Sequence, residues 1–316
     1  MGVYARAKAR LRGIVAGLVR EEVRRAVDEA LPIVAQLVEF RRSPPEARQS
    51  FHDHAKAPLE NFAVFQGVRD RLAAAGVPVQ EVDLAPADFR RWLEEFPEIR
   101  DAYLPHGDVF VEKALEHYLA FRHLRLVPGD IYVDIAAAAS VWADTLRRRG
   151  VTAYRLDRRY PTGIRGIDIG ADAGDTGLPA GFATAISAQC AFECFQGDAD
   201  VRFVREAARI LAPGGRFAIL PLYLDDAYFI STSPYCDQGE ITVEPEAMKL
   251  WRDDAYREPF SRHYSPEAFA RRIYAALPAG LRGKVLFVRN LPEVIREFPG
   301  QRVYCLFVFL GEKAGR

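Results

Sequence analysis

The chain reads as an α/β protein, a doubly wound and mostly parallel sheet preceded by an N-terminal helical region. Three observations point there. The stretch Asp130–Gly150 (DIYVDIAAAASVWADTLRRRG) runs from a short apolar segment ending in Asp134, through a turn of small residues, into a helix stopped by Gly150. Strand, tight turn and helix in that order open nucleotide-binding sheets, because a turn without bulky side chains lets backbone N–H groups approach a ligand. Beyond it, strand-like and helix-like segments alternate. Three acids, Asp134, Asp157 and Asp172, fall in order at the ends of the first three strands.

Composition narrows the class. At 316 residues the chain is long enough for one large α/β domain with a substantial extension. Its 43 basic and 43 acidic residues cancel, which argues against a nucleic-acid partner, since phosphate binding usually leaves a basic excess. No run approaches the roughly 18 apolar residues of a membrane span. Cys190, Cys194, Cys236 and Cys305 are too few and too scattered for a disulfide framework. Cys190 and Cys194 sit at i, i+4 spacing, but no second ligand pair follows in metal-like order, so no metal is expected. The first residues are basic, with no acid before Glu21, yet they lack an apolar core followed by a cleavage site. Arg6 stands where a myristoylation motif wants Ser or Thr. The expected compartment is the cytoplasm.

In chain order, apolar residues from Val3 to Phe40 recur at three- and four-residue spacing, predicting one long amphipathic helix or two, with Pro32 marking a kink or a new start. The plain reading packs this helix on the protein's own body or on a second copy in a homodimer; the alternative lays its basic, amphipathic length on a membrane surface. Arg41–Ser50 is a loop. The following His52-Asp53-His54 cannot turn three adjacent side chains toward one ion and reads as solvated loop. Pieces of helix follow to Arg100, including Ala85–Phe96. Leu104–Asp108 is a turn and the expected boundary between the helical region, 1–105, and the main domain, 106–316. A helix over Val109–Leu126 leads into the key strand. Strands are predicted at Ile131–Asp134, Thr152–Leu156, Gly166–Ile169, Ala183–Ser187, Arg216–Leu222, Lys284–Val288 and Arg302–Leu310. The helices between them are Val141–Arg149, Ala199–Leu211 and Pro266–Ala276.

Read on their own, the three acids suggest a nucleoside. Asp134 can orient the turn behind it. Asp157, roughly 20 residues beyond the turn, suits a bidentate grip on ribose hydroxyls. Asp172, in Gly170-Ala171-Asp172-Ala173, follows the third strand, where a carboxylate can accept from an exocyclic adenine amine.

Further motifs sharpen this. They are Gly177-Leu178-Pro179-Ala180-Gly181-Phe182-Ala183-Thr184-Ala185-Ile186-Ser187, then Ala191-Phe192-Glu193, then Arg205-Glu206-Ala207-Ala208-Arg209-Ile210-Leu211-Ala212-Pro213-Gly214-Gly215-Arg216-Phe217. From about Val109 to Gly311 the chain resembles the class I S-adenosylmethionine-dependent methyltransferases. The resemblance implies a seven-stranded sheet closed by an antiparallel hairpin, Lys284–Val288 and Arg302–Leu310, with a short helix near Pro292–Phe298. It implies S-adenosyl-L-methionine as cofactor. Asp134, Ile135 and the turn Ala136, Ala137, Ala138 and Ser140 would line its methionine end; Asp157 would hold the ribose, and Asp172 and Ala173 would border the adenine. Ser187 to Gln189 would face the sulfonium and the acceptor. The chain departs from the family by carrying Ala136, Ala138 and Ser140 where glycine is usual, and Ala183 where an acid is common.

Methyl transfer needs alignment more than covalent help, and an alcohol acceptor also needs a base. The long insertion Pro221–His263 holds Tyr223, Asp225, Asp226, Tyr228, Tyr235 and Trp251, with Tyr264 just beyond it. From it His263 is a candidate base, with a helix-capping role before Ser265-Pro266 as the plainer account, and Gln189 is a candidate acceptor-positioning amide. The balanced charge favours a small-molecule acceptor. The alternative is a non-catalytic interaction module whose alanine turn has lost the cofactor.

Overall fold

The computed structural model describes residues 2–49, 58–236, 241–252 and 259–315. Helix α1 (Gly2–Arg42), strand β1 (Arg48–Gln49), helix α2 (Pro58–Ala74) and strand β2 (Val79–Val82) come first. Helices α3 (Pro86–Glu95) and α4 (Pro97–Tyr103) each begin with proline, whose missing N–H costs nothing in a first turn. Helix α5 (Phe110–Leu124) then leads to β3 (Ile131–Ile135), α6 (Trp142–Arg147), β4 (Thr152–Arg165), β5 (Asp168–Gly170), β6 (Ala183–Gln189), α7 (Ala199–Ile210) and β7 (Leu211–Leu220). The chain closes with β8 (Phe229–Thr232), β9 (Met248–Arg252), β10 (Ser261–His263), α8 (Pro266–Arg272), β11 (Leu281–Val288), α9 (Leu291–Arg296) and β12 (Phe307–Lys313).

Eight strands form the main sheet in the order β2-β11-β12-β7-β6-β3-β4-β5. Among the described strands β12 runs antiparallel, to both β11 and β7, and the second half of β4 returns antiparallel along β5. The expected doubly wound sheet and its closing hairpin are therefore present. From β3 the chain steps outward to β4 and β5, whereas β6 and β7 step the other way. Right-handed crossovers then put the connections on opposite faces, and the C-terminal ends of β3 and β6 flank the point of reversal, where such sheets bind ligands. Register across it sets Asp134 opposite Ser187 and Ile135 opposite Ala188. Both strands are buried almost throughout because both of their faces are covered. Pro213-Gly214-Gly215 turns α7 into the sheet: Gly214 takes φ 74°, and a Cβ on Gly215 would lie 2.8 Å from the Ala212 carbonyl oxygen.

Three expectations change. The sheet has an eighth strand, β2, which pairs parallel with β11 from Val79↔Val285 to Val82↔Val288. The main sheet thus reaches into the segment read as purely helical, past the boundary at 105. Val79-Gln80-Glu81-Val82 lacks the alternation of a half-buried strand because it is a short edge, its two polar residues exposed. The insertion after β7 forms a second sheet, β1-β9-β8-β10, that recruits Arg48–Gln49 from the N-terminal region. Finally, α1 runs through Pro32 as one helix, one of the two expected alternatives, yet none of its described side chains from Val15 to Val38 is buried. Its last turn docks: Phe40 meets Tyr235 and Trp251 edge-on, and Glu39 pairs with Lys249 at 2.9 Å. His52, Asp53 and His54 lie outside the described residues. No described helix is long and apolar enough to cross a membrane.

Candidate functional site

The turn after β3 keeps a glycine-like shape without glycine. Ala136 and Ala138 adopt left-handed backbone, φ 53° and 48°, a conformation that costs an L-residue roughly 1–2 kcal/mol. Hydrogen bonds hold it there. The Ala137 N–H donates to the Leu156 carbonyl at 3.1 Å, and Ser140 N–H to the Ala137 carbonyl at 2.8 Å. The Ala138 N–H donates to Asp157 Oδ2 at 2.9 Å, and the Tyr160 hydroxyl donates to the Ala138 carbonyl. At about 1 kcal/mol each, these bonds are of the right size to offset the strain. Ser140 Oγ also accepts from the Trp142 N–H at 3.2 Å, at the entrance to α6.

Beside the turn a cavity of about 430 Å³ opens between the ends of β3, β4 and β5 and the segment leading into α7. Ala136, Asp157, Asp172, Ala173, Phe195 and Arg202 are among its walls. Asp157 is almost fully buried, and its Oδ1 accepts from the Arg159 N–H at 2.9 Å. Asp172 Oδ1 accepts from Gly174 N–H at 2.8 Å and from Arg202 Nη1 at 3.1 Å. Here β4 folds back over Gly170, which has no space for a Cβ beneath the carbonyls of Tyr160 and Pro161.

Toward β6 the site becomes a buried polar network. The Tyr132 hydroxyl meets Ser187 Oγ, lies 3.4 Å from Asp134 Oδ1, and Gln189 Nε2 donates to Ser187 Oγ at 3.0 Å. Asp134 is the buried acid of this network: burial pushes its pKa up to about 7, against the milder downward pull of the Ser140 and Tyr132 hydroxyls and the Arg155 charge. Ser140 lies close to it, as His117 does to Gln189 and Tyr132 to Trp142, yet Asp134 Oδ2, Gln189 Oε1 and Trp142 Nε1 meet no partner in full hydrogen-bond geometry. His117 Nε2 bonds the Tyr103 hydroxyl at 2.9 Å; burial and the nearby Lys113 charge hold its pKa down at about 3, so the ring is neutral. Next to it Glu116 Oε1 accepts from Lys113 Nζ at 3.0 Å and from the Cys190 thiol at 3.1 Å, while Lys113 also reaches Cys190. Burial, with the neighbouring Glu116 charge, raises Glu112 to about 8.

The structure thus divides the predicted residues. Ala136, Asp157, Asp172 and Ala173 share the cavity. Asp134, Ser187 and Gln189 belong to the network beside it. Ala137, Ala138 and Ser140 shape the turn through their backbone, and the Ile135 side chain is buried in the core. His263 stands apart on β10, buried in the second sheet, its ring stacked on Phe229 at 4.4 Å and tilted against Tyr223 at 4.9 Å.

Sequence reasoning missed Tyr103, Glu112, Lys113, Glu116 and His117. An aromatic cluster brings them in: Trp92 and Phe96 of the α3–α4 region pack on Trp142 of α6 at 6.2 and 5.9 Å, seating α4 and α5 over the turn. A signal was present in FVEKALEHYLAF. Glu112, Lys113, Glu116 and His117 recur at the one- and three-residue steps of a single helical face, on a helix that enters the first strand.

Comparisons with family models and with curated proteins return no match. Among solved structures, the chain is similar to the 1,6-didemethyltoxoflavin-N1-methyltransferase of Burkholderia thailandensis, determined with 1,6-didemethyltoxoflavin and S-adenosylhomocysteine bound. The two are 14% identical over 75% of this chain and 94% of that one, with a TM-score of 0.41. It is also similar to an S-adenosylmethionine-dependent methyltransferase from Mesorhizobium loti, at 17% identity, 63% and 97% coverage and a TM-score of 0.38. A third is a methyltransferase of the same kind from Methanosarcina mazei, at 13%, 62% and 98%, and 0.36. At these values the fold rests on its own strand order and the site on its own side chains.

Proposed function

We propose that the chain is an S-adenosylmethionine-dependent methyltransferase acting on a small-molecule acceptor. The observation that carries this reading is the alanine turn: it holds the left-handed backbone of a glycine turn and leaves an open cavity beside Ala136, walled by Asp157 and Asp172. The cavity volume lies within the usual range of ligand sites, roughly 300–1,000 Å³. The residues fit the cofactor in a second respect. Asp134 Oδ2, Gln189 Oε1 and Trp142 Nε1 are buried with no partner in full hydrogen-bond geometry, near only Ser140, His117 and Tyr132, and buried polar atoms of this kind ordinarily have well-formed partners. Two acceptors and a donor suit an amino-acid moiety bearing both an ammonium and a carboxylate.

When bound, S-adenosylmethionine supplies a methyl group activated by a sulfonium. Asp157 would hold the ribose hydroxyls with the lone pairs that Ala138 and Arg159 leave free, since a carboxylate offers about four. Asp172 and Ala173 would border the adenine. Asp134, poised near neutrality, would ionise beside the ammonium and anchor it. Tyr103 and His117, lying over the turn, exclude water from that end. At the end of β6, Gln189 is fixed through its amide nitrogen to Ser187, which frees Oε1 to align the acceptor. His263, clamped by aromatic rings in the second sheet, serves packing better than proton transfer.

Calorimetry of the full chain with S-adenosylmethionine and S-adenosylhomocysteine tests the reading. Saturable heat with both is expected. No heat with either at millimolar ligand would leave the fold as a non-catalytic module.

A further inference from the structure

At the opposite end of the main sheet, where β7 and β11 begin and β12 ends, a larger cavity of about 970 Å³ opens. Its walls carry Arg122, Arg125, Arg216, Arg282, Lys284 and Lys313 against one acid, Glu312, in a chain whose formal net charge is zero. Two of these cations are committed to the fold. Arg216 pairs with Asp130 at 3.2 Å, and Lys313 donates to the carbonyls of Ala208 and Leu211 at 2.8 and 2.7 Å.

The other four are exposed and weakly matched. Arg122 donates to the Tyr118 hydroxyl at 2.8 Å and stands 3.6 Å from Asp88. Arg125 is 3.5 Å from Glu312, and Lys284 holds only the neutral Gln80 amide, at 2.8 Å. Arg282 has no ion pair among the described residues. Exposed pairs of this kind contribute only about 0–1 kcal/mol, so little prevents these groups from turning to a ligand. His123 senses their combined field: burial, then the charges of Arg122 and Lys284, hold it down at about 4. Two cations from different elements therefore act on the same space.

We propose that this trough is a second binding site, for a small molecule bearing a chain of phosphates. Four convergent cations around one cavity are more than a single carboxylate can match, and guanidinium groups grip phosphate oxygens in pairs. The compact cavity, and the absence of any basic excess over the chain as a whole, favour a small polyanion over an extended nucleic acid.

The test is calorimetry of the full chain with inorganic tripolyphosphate and, separately, a nucleoside triphosphate, in about 50 mM salt, where screening is modest. Saturable one-to-one binding is expected. Similar affinity for both ligands would assign recognition to the phosphate chain alone, and tighter binding of the nucleotide would add a contact to its base. The double variant Arg282→Glu, Lys284→Glu should weaken binding at least about tenfold, and Arg282→Gln alone several-fold, as expected for charge-assisted contacts. Asp157→Ala should leave tripolyphosphate binding unchanged. Unchanged melting temperature and S-adenosylhomocysteine affinity in both trough variants establish that they remain folded. No heat at millimolar tripolyphosphate, undiminished binding by both variants, or a single-stranded oligonucleotide bound more tightly than either ligand would overturn the proposal.

Discussion

Asp134→Asn should stabilise the protein and impair its binding site at once. The Asp134 carboxyl is fully buried with one oxygen lacking a partner in full hydrogen-bond geometry, and burial raises its pKa from 3.8 to about 7. Between those values the folded chain binds a proton that the unfolded chain has released, so stability falls as pH rises through the window. Above pH 7 the full gap applies, about 4 kcal/mol at 1.36 kcal/mol per pH unit. Asparagine has the same shape and never ionises, although its buried amide must still find partners, a penalty of about 1–3 kcal/mol. The variant should therefore gain about 2 kcal/mol at pH 8 and little or nothing at pH 5, where the folded wild type is already protonated. Urea unfolding at the two pH values measures both gaps. S-adenosylhomocysteine should bind the variant at least about tenfold more weakly, and its affinity for the wild type should fall as pH drops below 7, because an ammonium pairs with the ionised carboxylate. A variant no more stable than wild type at pH 8, or a gap that fails to narrow toward pH 5, refutes the account.

Other substitutions probe the neighbouring features. Ala136→Gly and Ala138→Gly each remove roughly 1–2 kcal/mol of left-handed strain and add about 0.5–1 kcal/mol of chain entropy; urea titration should show each variant up to about 1 kcal/mol more stable, and a loss in both would mean the turn is not strained. Asp157→Ala should weaken S-adenosylhomocysteine by roughly 1–3 kcal/mol, and unchanged affinity would place the ribose elsewhere. Asp200 is wholly buried, 2.8 Å from Arg262 Nη1, 2.7 Å from Arg272 Nε and 2.5 Å from the Tyr264 hydroxyl. Asp200→Ala strands the buried Arg262 guanidinium and should cost about 3–5 kcal/mol in chemical denaturation; a loss below 1 kcal/mol would show that Glu244, which also pairs with Arg262, is a sufficient partner.

Much of the architecture is legible in the chain because the central strands are buried on both faces. Ile131–Ile135 reads as a largely apolar run and Ala183–Gln189 as a run of small and apolar residues, and Pro213-Gly214-Gly215 marks a turn for steric reasons. Edge strands carry less information. Val79–Val82 is four residues long with its polar pair in solvent, and the second half of β4, Arg158–Arg165, is polar because it folds back over its own sheet edge rather than entering the core. The site is legible where spacing fixes it, as with Asp157 and Asp172. Glu112, Lys113, Glu116 and His117 were hidden by the ordinary rule that charges on a helix face water; here they are buried or half-buried against Tyr304, Cys305, Cys190 and Tyr103, which only the tertiary packing of α5 reveals. His263 is placed by Ser261-Arg262-His263 pairing into a small second sheet, which a lone histidine before Ser-Pro does not announce.

The stitching of β2 onto β11 bears on how the molecule can be cut. A chain shortened to begin after residue 105 would lay bare the outer rim of β11 from Val285 to Val288, a row of main-chain donors and acceptors flanked by buried apolar side chains. Rims of that kind invite other chains to add a strand. The amino-terminal third thus acts as a hem as well as an appendage, and the shortened protein should be prone to self-association even where the remainder folds.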